Sequence, residues 1–288
     1  MVRLSLNGAT TMTADLVTDI MVAGRAGFDA LEIWAAKLRR FLETGTTAEL
    51  NHYFQRYGVR PWSINSIERI TFRSPEERQA LRAECEMLCR WAQELGCPYI
   101  VVVPGPRPRG VAPADVTVDV TFILRELSEV ARRYGIGLAL EFLGFKECAV
   151  RTLARAYEII QRVDDPHVGL VLDAFHFYVG GSSLEDIARL DPRRLFVFHI
   201  DDAENRPPSE LRDEHRLLPG DGILPLKEIW RALRAIGYDG VVSVELFRPE
   251  YWEWDPATLA HRAKDAVERV LGVKRLDRGG TPPEENAS

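Results

Sequence analysis

Four apolar runs in the second half of this sequence each close on a residue that can bind a metal or move a proton. "GLALEF" delivers Glu141. "GLVLD" delivers Asp173, with His176 three residues on. "FVFHIDD" delivers His199, then Asp201 and Asp202. "VVSVEL" delivers Glu245, with Arg248 and Glu250 behind it. Burying a charge is costly unless it is paired or metal-bound. A lone acid at a strand end is as readily a helix cap or a solvated loop residue. Four ligand-type residues on four consecutive strands point instead to one site. Three carboxylates packed together would repel and raise one another's pKa. A divalent cation removes that conflict. A mostly oxygen set with one imidazole suits one divalent ion, Mn²⁺ or Zn²⁺ first, with Co²⁺, Fe²⁺ or Mg²⁺ also fitting. The expected ligands are Glu141, Asp173, His199 and Glu245.

Further residues fall near this set. His176 is expected to donate a hydrogen bond to a substrate oxygen beside the metal. Arg216 sits in "EHRLLPGDGILP", within a connection from about residue 201 to 222. That is longer than an ordinary βα loop, and long loops in compact domains are often lids or binding loops. Glu147, in "EFLGFKE", could reach a substrate hydroxyl, and Trp34 is the best candidate for a pocket wall. The earlier strand ends are milder: Asn7, Glu32, Asn65, Glu68 and Pro104. No individual role is assigned to them.

The elements that must position these groups follow a repeated phrase: a helical run, a glycine, then a short apolar strand. It occurs in "RAGFDALEIW", "RYGVRPWSIN", "ELGCPYIVVV", "RYGIGLALEF" and "AIGYDGVVSVEL". Gly27, Gly58, Gly96 and Gly135 are 31, 38 and 39 residues apart, and Gly237 follows 102 later, or three units of about 34. A βα unit takes roughly 30 residues or more. Each glycine is placed as a helix C′ residue. "RLSLN", "GLVLD" and "LFVFHID" bring the strands to eight. Ser74, Pro75 and Glu77 open one helix as N-cap, first helical residue and capping-box partner. Leu81, Cys85, Leu88, Ala92 and Leu95 then recur at helical spacing. The sixth helix, around "SSLEDIARL", is short. Eight alternating strands and helices predict a single α/β domain, a (β/α)8 TIM barrel over residues 1–273. The alternative is a doubly wound open sheet, weakened by the lack of G-x-G-x-x-G after the first strand. Residues 274–288, polar and rich in Gly and Pro, are expected to be disordered.

Composition narrows the function classes. The chain has 288 residues, 46% hydrophobic and 28% charged, with net charge −6 and no basic stripe. A nucleic-acid partner is therefore disfavoured, and a small polar molecule is the expected partner. The N-terminus lacks a signal-peptide apolar region, and no segment approaches 18 uninterrupted apolar residues. No membrane association is expected, and the cytoplasm is the expected compartment. The four cysteines read as reduced core residues, with Cys85 and Cys89 at packing spacing.

Taken together, "ALEFLGF", "GLVLDAFHF", "FHIDDAE", "RLLPGDG" and "VSVELFRPEYW" resemble the xylose-isomerase-like barrel superfamily of sugar isomerases and epimerases. Within it the chain is most similar to the inosose isomerases of inositol catabolism. The similarity runs from "NGATT" through "ELFRPEYW". The resemblance implies a metal on Glu141, Asp173, His199 and Glu245, with Glu141 and Glu245 moving the proton. It also implies substrate contacts from His176 and Arg216, and from Glu147 if the epimerase pattern holds there. The implied activity shifts the carbonyl of a keto-polyol, 2-keto-myo-inositol to 1-keto-D-chiro-inositol, through an enediolate. The alternatives are a ketose 3-epimerase or a keto-sugar or inosose dehydratase on the same metal site. A metal-dependent nuclease for abasic DNA would need more histidine ligands and a basic surface. A non-catalytic sugar-binding protein would leave the metal set without purpose. Related barrels are monomers, dimers or tetramers, so a homo-oligomer stays open.

Overall fold

Ser74 caps the helix Pro75–Leu95 as the sequence anticipates. Its side chain accepts from the Glu77 N–H, the Glu77 carboxylate answers the Ser74 N–H, and Gly96 ends the helix at φ 69°. Leu81, Cys85, Leu88, Ala92 and Leu95 are all buried on one face. The five glycines of the repeated phrase all take positive φ. At Gly27 the backbone N–H closes the last turn of the helix Leu16–Ala26 onto Ala23 and Gly24 carbonyls, at φ 82°. That conformation disfavours a side chain.

The computed structural model describes residues 2–273; the expectation for 274–288 lies outside the described residues. The strands are β1 (Arg3–Asn7), β2 (Ala30–Trp34), β3 (Arg60–Ile67), β4 (Tyr99–Val102), β5 (Gly137–Glu141), β6 (Val168–Asp173), β7 (Leu195–Ile200), β8 (Asp202–Ala203), β9 (Arg216–Leu217) and β10 (Val241–Val244). Eight of them close a parallel barrel in the order β1-β10-β7-β6-β5-β4-β3-β2. The open-sheet alternative is thereby set aside. The "SSLEDIARL" helix is a short one, Leu184–Ala188. Between β2 and β3 the chain fits two helices, Ala35–Phe41 and Thr47–Tyr57. Among the described residues no helix is long and apolar enough to cross a membrane.

Strand alternation divides the apolar residues into two layers. Leu138, Leu140, Leu170, Leu172, Phe198, Val242 and Val244 belong to the main core shared with the helices. Ala139, Val171 and Val197 form a separate cluster with Val101 and Val103. These three lie two residues before Glu141, Asp173 and His199, so they share a face with them. The apolar plug of the barrel thus sits beneath the polar residues and holds them at the C-terminal rim. The connection 201–222 is more ordered than a plain loop. β8 and β9 pair antiparallel through Asp202↔Leu217 and Ala203↔Arg216. Asp202 organises it, accepting from Ala203 N at 2.9 Å, Leu224 N at 2.8 Å and Gly220 N at 3.0 Å. Gly222 fits because a Cβ there would lie 2.2 Å from the Ala203 carbonyl oxygen.

Candidate metal centre

Register brings the strand-end residues to one level. Asp173 of β6 is paired with His199 of β7, and His199 with Ser243 of β10, two residues before Glu245. Glu141 closes β5. Glu141, Asp173, His199 and Glu245 are all buried, and each offers one ligand atom within 4.8 Å of the others. The four expected ligands are therefore together.

Hydrogen bonds outside the cluster fix which atoms face inward. Asp173 has two jobs. Its Oδ1 accepts the His176 N–H at 2.7 Å and caps the helix Ala174–Gly180, while its Oδ2 accepts from Arg216 Nη1 at 2.6 Å. Asp173 thus caps a helix with one oxygen and turns the other toward the cluster. Glu245 is divided similarly. Its Oε1 accepts amide N–H bonds from Asn7 at 2.9 Å and Asn65 at 3.0 Å, leaving Oε2 3.3 Å from His199 Nδ1. His199 turns Nε2 to Glu32 Oε1 at 2.8 Å and Nδ1 to Glu141 Oε1 at 3.0 Å. Glu32 is itself held by Ser63 Oγ and by Asn7 Nδ2 at 3.3 Å. A carboxylate behind a ligating histidine fixes the ring and strengthens the other nitrogen as a donor.

The electrostatics are those of an acid-rich cluster short of positive charge. Burial pushes Glu141 up to about 8, with Glu245 and Asp173 adding to the rise against the pull of His199. Burial opposes a charge on His199, but Glu245, Glu32 and Glu141 outweigh it and hold its pKa well above the ordinary value. Burial also opposes ionisation of Asp173, yet the Arg216 guanidinium leads the groups that bring it down to about 2. Asp201 goes the other way: burial and the neighbouring Asp173 raise it well above the usual carboxylate range. The crowding of acids thus favours a proton on Glu141 and on His199. Three carboxylates and an imidazole, each presenting one atom, are the donor set a divalent cation takes, and such a cation would displace the protons on Glu141 and His199.

Beside the cluster lies a cavity of about 170 Å³. Its lining includes Glu141, Glu245, His176 and Arg216, with Trp34, Leu143 and Phe247 as walls. Trp34 stands edge-on to Phe247, ring centroids 5.6 Å apart. Arg216, 1% exposed, lies over the rings of Phe175 and Phe247. Its Nη1 serves Asp173, Asp201 and, at 3.4 Å, Glu245. Its Nη2 meets His176 Nε2 at 3.2 Å and Asp213 Oδ1 at 3.1 Å. Guanidinium only donates, so His176 Nε2 accepts. Burial lowers the His176 pKa, keeping the ring neutral, so its proton is on Nδ1. That Nδ1 is a buried atom without a hydrogen-bond partner among the described residues.

The expectation for Glu147 is not met by the geometry. Its side chain is exposed and does not line the cavity. The segment is tied instead to the neighbouring loop, where Arg107 N donates to the Glu147 carbonyl at 2.8 Å and Ala149 N to the Gly105 carbonyl at 3.0 Å. Glu32, Asn7, Asn65 and Asp201 enter the site with roles the sequence reading did not assign. The available signal was position: Asn7, like Glu141 and Asp173, is the last residue of its strand, while Glu32 lies mid-strand in β2. All four cysteines are buried and free of disulfides, and burial raises the Cys97 and Cys148 thiols, Cys148 to about 11, so neither of these two is primed for chemistry.

Residues 21–270 match the family model described as xylose isomerase-like TIM barrel. The chain is 36% identical to an inosose isomerase from Halalkalibacterium halodurans, over 93% of this chain and 96% of that one. It is 36% identical to the inosose isomerase of Bacillus subtilis, over 93% and 98%. A crystal structure of IolI protein with a bound zinc atom superposes with a TM-score of 0.91, at 34% identity, covering 94% of this chain and 98% of that one.

Proposed function

The chain belongs to the xylose isomerase-like TIM-barrel family, and on that premise we propose that it is an inosose isomerase that works with one divalent ion. The substrate is 2-keto-myo-inositol and the product 1-keto-D-chiro-inositol. The observation that carries this reading is the convergence of Glu141, Asp173, His199 and Glu245 on one buried point at the C-terminal rim, where barrels of this type keep their active sites. Similarity to inosose isomerases along nearly the whole chain supports the substrate class, and the zinc of the IolI structure supports a divalent ion.

The ligands would be Glu141 Oε1, Asp173 Oδ2, His199 Nδ1 and Glu245 Oε2, the atoms facing one another. With the second oxygens of Asp173 and Glu245 tied to the protein, four single-atom ligands leave coordination room for substrate. A bound divalent ion would supply Lewis acidity, stabilising negative charge on the substrate oxygens as the α-proton leaves.

The remaining steps belong to side chains. One of the two glutamates, Glu141 or Glu245, takes the proton from the carbinol carbon next to the ketone, leaving an enediolate. A proton passes between the two oxygens, and one glutamate returns a proton to the former carbonyl carbon. Atoms balance, and no oxidant is required. His176 Nδ1–H is the free donor for a substrate oxygen. Arg216 keeps Asp173 ionised and holds His176 in its tautomer. Trp34, Leu143 and Phe247 give the cavity apolar walls.

The test is proton NMR in D₂O of Mn²⁺- or Zn²⁺-loaded protein with 2-keto-myo-inositol. Formation of 1-keto-D-chiro-inositol with deuterium entering the α-carbon, and its loss in EDTA, is the expected result. A diketo product assigns a dehydratase instead. Inactivity here with C3 epimerisation of ketohexoses assigns an epimerase.

A further inference from the structure

The cavity beside the cluster is polar at one end and mostly apolar on its sides. At ~30 Å³ per water, its 170 Å³ is room for about six waters, the scale of one small polyol. Besides the metal-side residues and Asn65, the lining holds Trp34, Val103, Leu143 and Phe247, and only two other charged residues, Glu68 and Asp213. Asp213 Oδ1 is already engaged by Arg216 Nε at 3.3 Å and Nη2 at 3.1 Å. Asp213 is thus bound to a guanidinium, whereas Glu68 meets only a neutral hydroxyl. Glu68 Oε1 accepts the Ser66 hydroxyl, and the rest of the carboxylate is exposed on the lining of the cavity. Partial desolvation raises its pKa, and the charge of Glu245 adds to the rise.

The loop that carries it is held firmly. Arg69 and Phe72 follow at φ 54° and 53°, a conformation that non-glycine residues keep only when their surroundings enforce it. Ile70 N bonds the Val103 carbonyl at 3.1 Å, and Phe72 N bonds Asp119 Oδ2 at 2.9 Å. Glu68 is therefore an acceptor carried by a held loop on the lining of a cavity whose apolar walls offer little to a hydroxyl.

We propose that Glu68 is a specificity determinant that accepts a hydrogen bond from a substrate hydroxyl remote from the reacting carbonyl–carbinol pair, so that the site selects polyhydroxylated ketones. This rests on the isomerase reading above. A hydroxyl bonded to a carboxylate discriminates against analogues that lack it, because they forgo a charge-assisted bond.

The test compares two ketones in metal-loaded protein: 2-keto-myo-inositol, and 2-hydroxycyclohexanone, which carries the reacting pair and no other hydroxyl. Deuterium entry at the α-carbon is followed by NMR for wild type, Glu68→Gln and Glu68→Ala, together with zinc affinity. The expected result is a loss of about 10- to 100-fold in kcat/KM on the inositol ketone, mostly in KM. On 2-hydroxycyclohexanone the variants match wild type within about twofold, and zinc affinity is equally unchanged. An equal loss on both ketones, or no loss on the inositol ketone, overturns the proposal while leaving the isomerase reading standing. Absence of exchange of either ketone by the wild type removes the isomerase reading, and this inference with it.

Discussion

Replacing Glu32 with Gln isolates the contribution of a carboxylate outside the four-ligand set. Glu32 is wholly buried, accepting His199 Nε2–H at 2.8 Å, Asn7 Nδ2 at 3.3 Å and the Ser63 hydroxyl. Gln has the same shape. With its carbonyl toward His199 and Asn7 it keeps both bonds in neutral form, and the Ser63 hydroxyl can rotate to accept from the new amide. What disappears is the charge. A charge-assisted bond is about twice as strong as a neutral one, a difference of about 1–1.5 kcal/mol. At about 1.4 kcal/mol per decade, ion binding through the less basic Nδ1 should weaken about tenfold, within the ~10- to 100-fold range for partners of metal-binding histidines. One effect opposes this. Glu32 is among the charges that raise the His199 pKa, so the variant has less of a proton to displace. That offset fades as pH rises and His199 loses its proton, so the deficit should widen with pH. The assay is zinc and manganese affinity by chelator competition at pH 7 and pH 9, with the thermal midpoint in EDTA as a check on the fold. Affinity within twofold of wild type at both pH values, in a folded protein, would refute the idea that Glu32 tunes His199.

Ion binding should also release protons. With Glu141 raised to about 8 and His199 well above its ordinary value, both carry protons at pH 7 that ligation must expel. Calorimetry in buffers of different ionisation enthalpy should give between one and two protons released per ion at pH 7, and affinity should rise with pH; release of none would contradict the protonated resting cluster. Glu245→Gln keeps the amide bonds of Asn7 and Asn65 on its oxygen but turns an NH₂ toward His199 and Arg216, which also donate. Turnover should fall by a factor on the order of 10² to 10⁴, with the fold retained by circular dichroism; full activity would remove Glu245 from the mechanism. Away from the site, burial raises Asp19 to about 6 despite its bond to Lys37 at 2.7 Å. A raised acid binds more protons folded than unfolded, so its share of stability is complete below about pH 4 and is lost as pH climbs through 6. The loss is about 3 kcal/mol. Urea midpoints of wild type against Asp19→Asn between pH 4 and 7 should show that share only in wild type, and parallel curves would rule it out.

The barrel was legible because its grammar is local. A glycine ends each helix and an apolar run follows it, and both signals lie within a dozen residues. The convergence of Glu141, Asp173, His199 and Glu245 was legible for a related reason, since each stands where an apolar run stops. What the sequence did not disclose depends on the curvature of the closed sheet. Glu32 lies 167 residues from His199 and Asn7 lies 238 from Glu245, and only closure of β1 onto β10 and β2 brings them under the ligands. Glu147 fails for the complementary reason. It follows the fifth strand closely, but a loop's heading is set by what it bonds to, here the backbone of Gly105 and Arg107. The pairing of β8 with β9 was hidden because two strands of two residues leave no alternation to read.

The Asp202 anchor has a consequence for how this site can change. Glu141, Asp173, His199 and Glu245 stand on or directly beyond barrel strands, so altering their spacing means altering the barrel. Arg216 arrives on a detour of the chain whose base is pinned by one side chain to Ala203, Gly220 and Leu224, while residues 204–210 between the pins face solvent for most of their length. A detour fastened at its foot can be lengthened, shortened or replaced without disturbing the spokes of the barrel. The centre therefore separates two parts: a candidate ion-binding hub built into the barrel strands, and an arginine-bearing arm whose exposed stretch, residues 205–210, has room to vary in length.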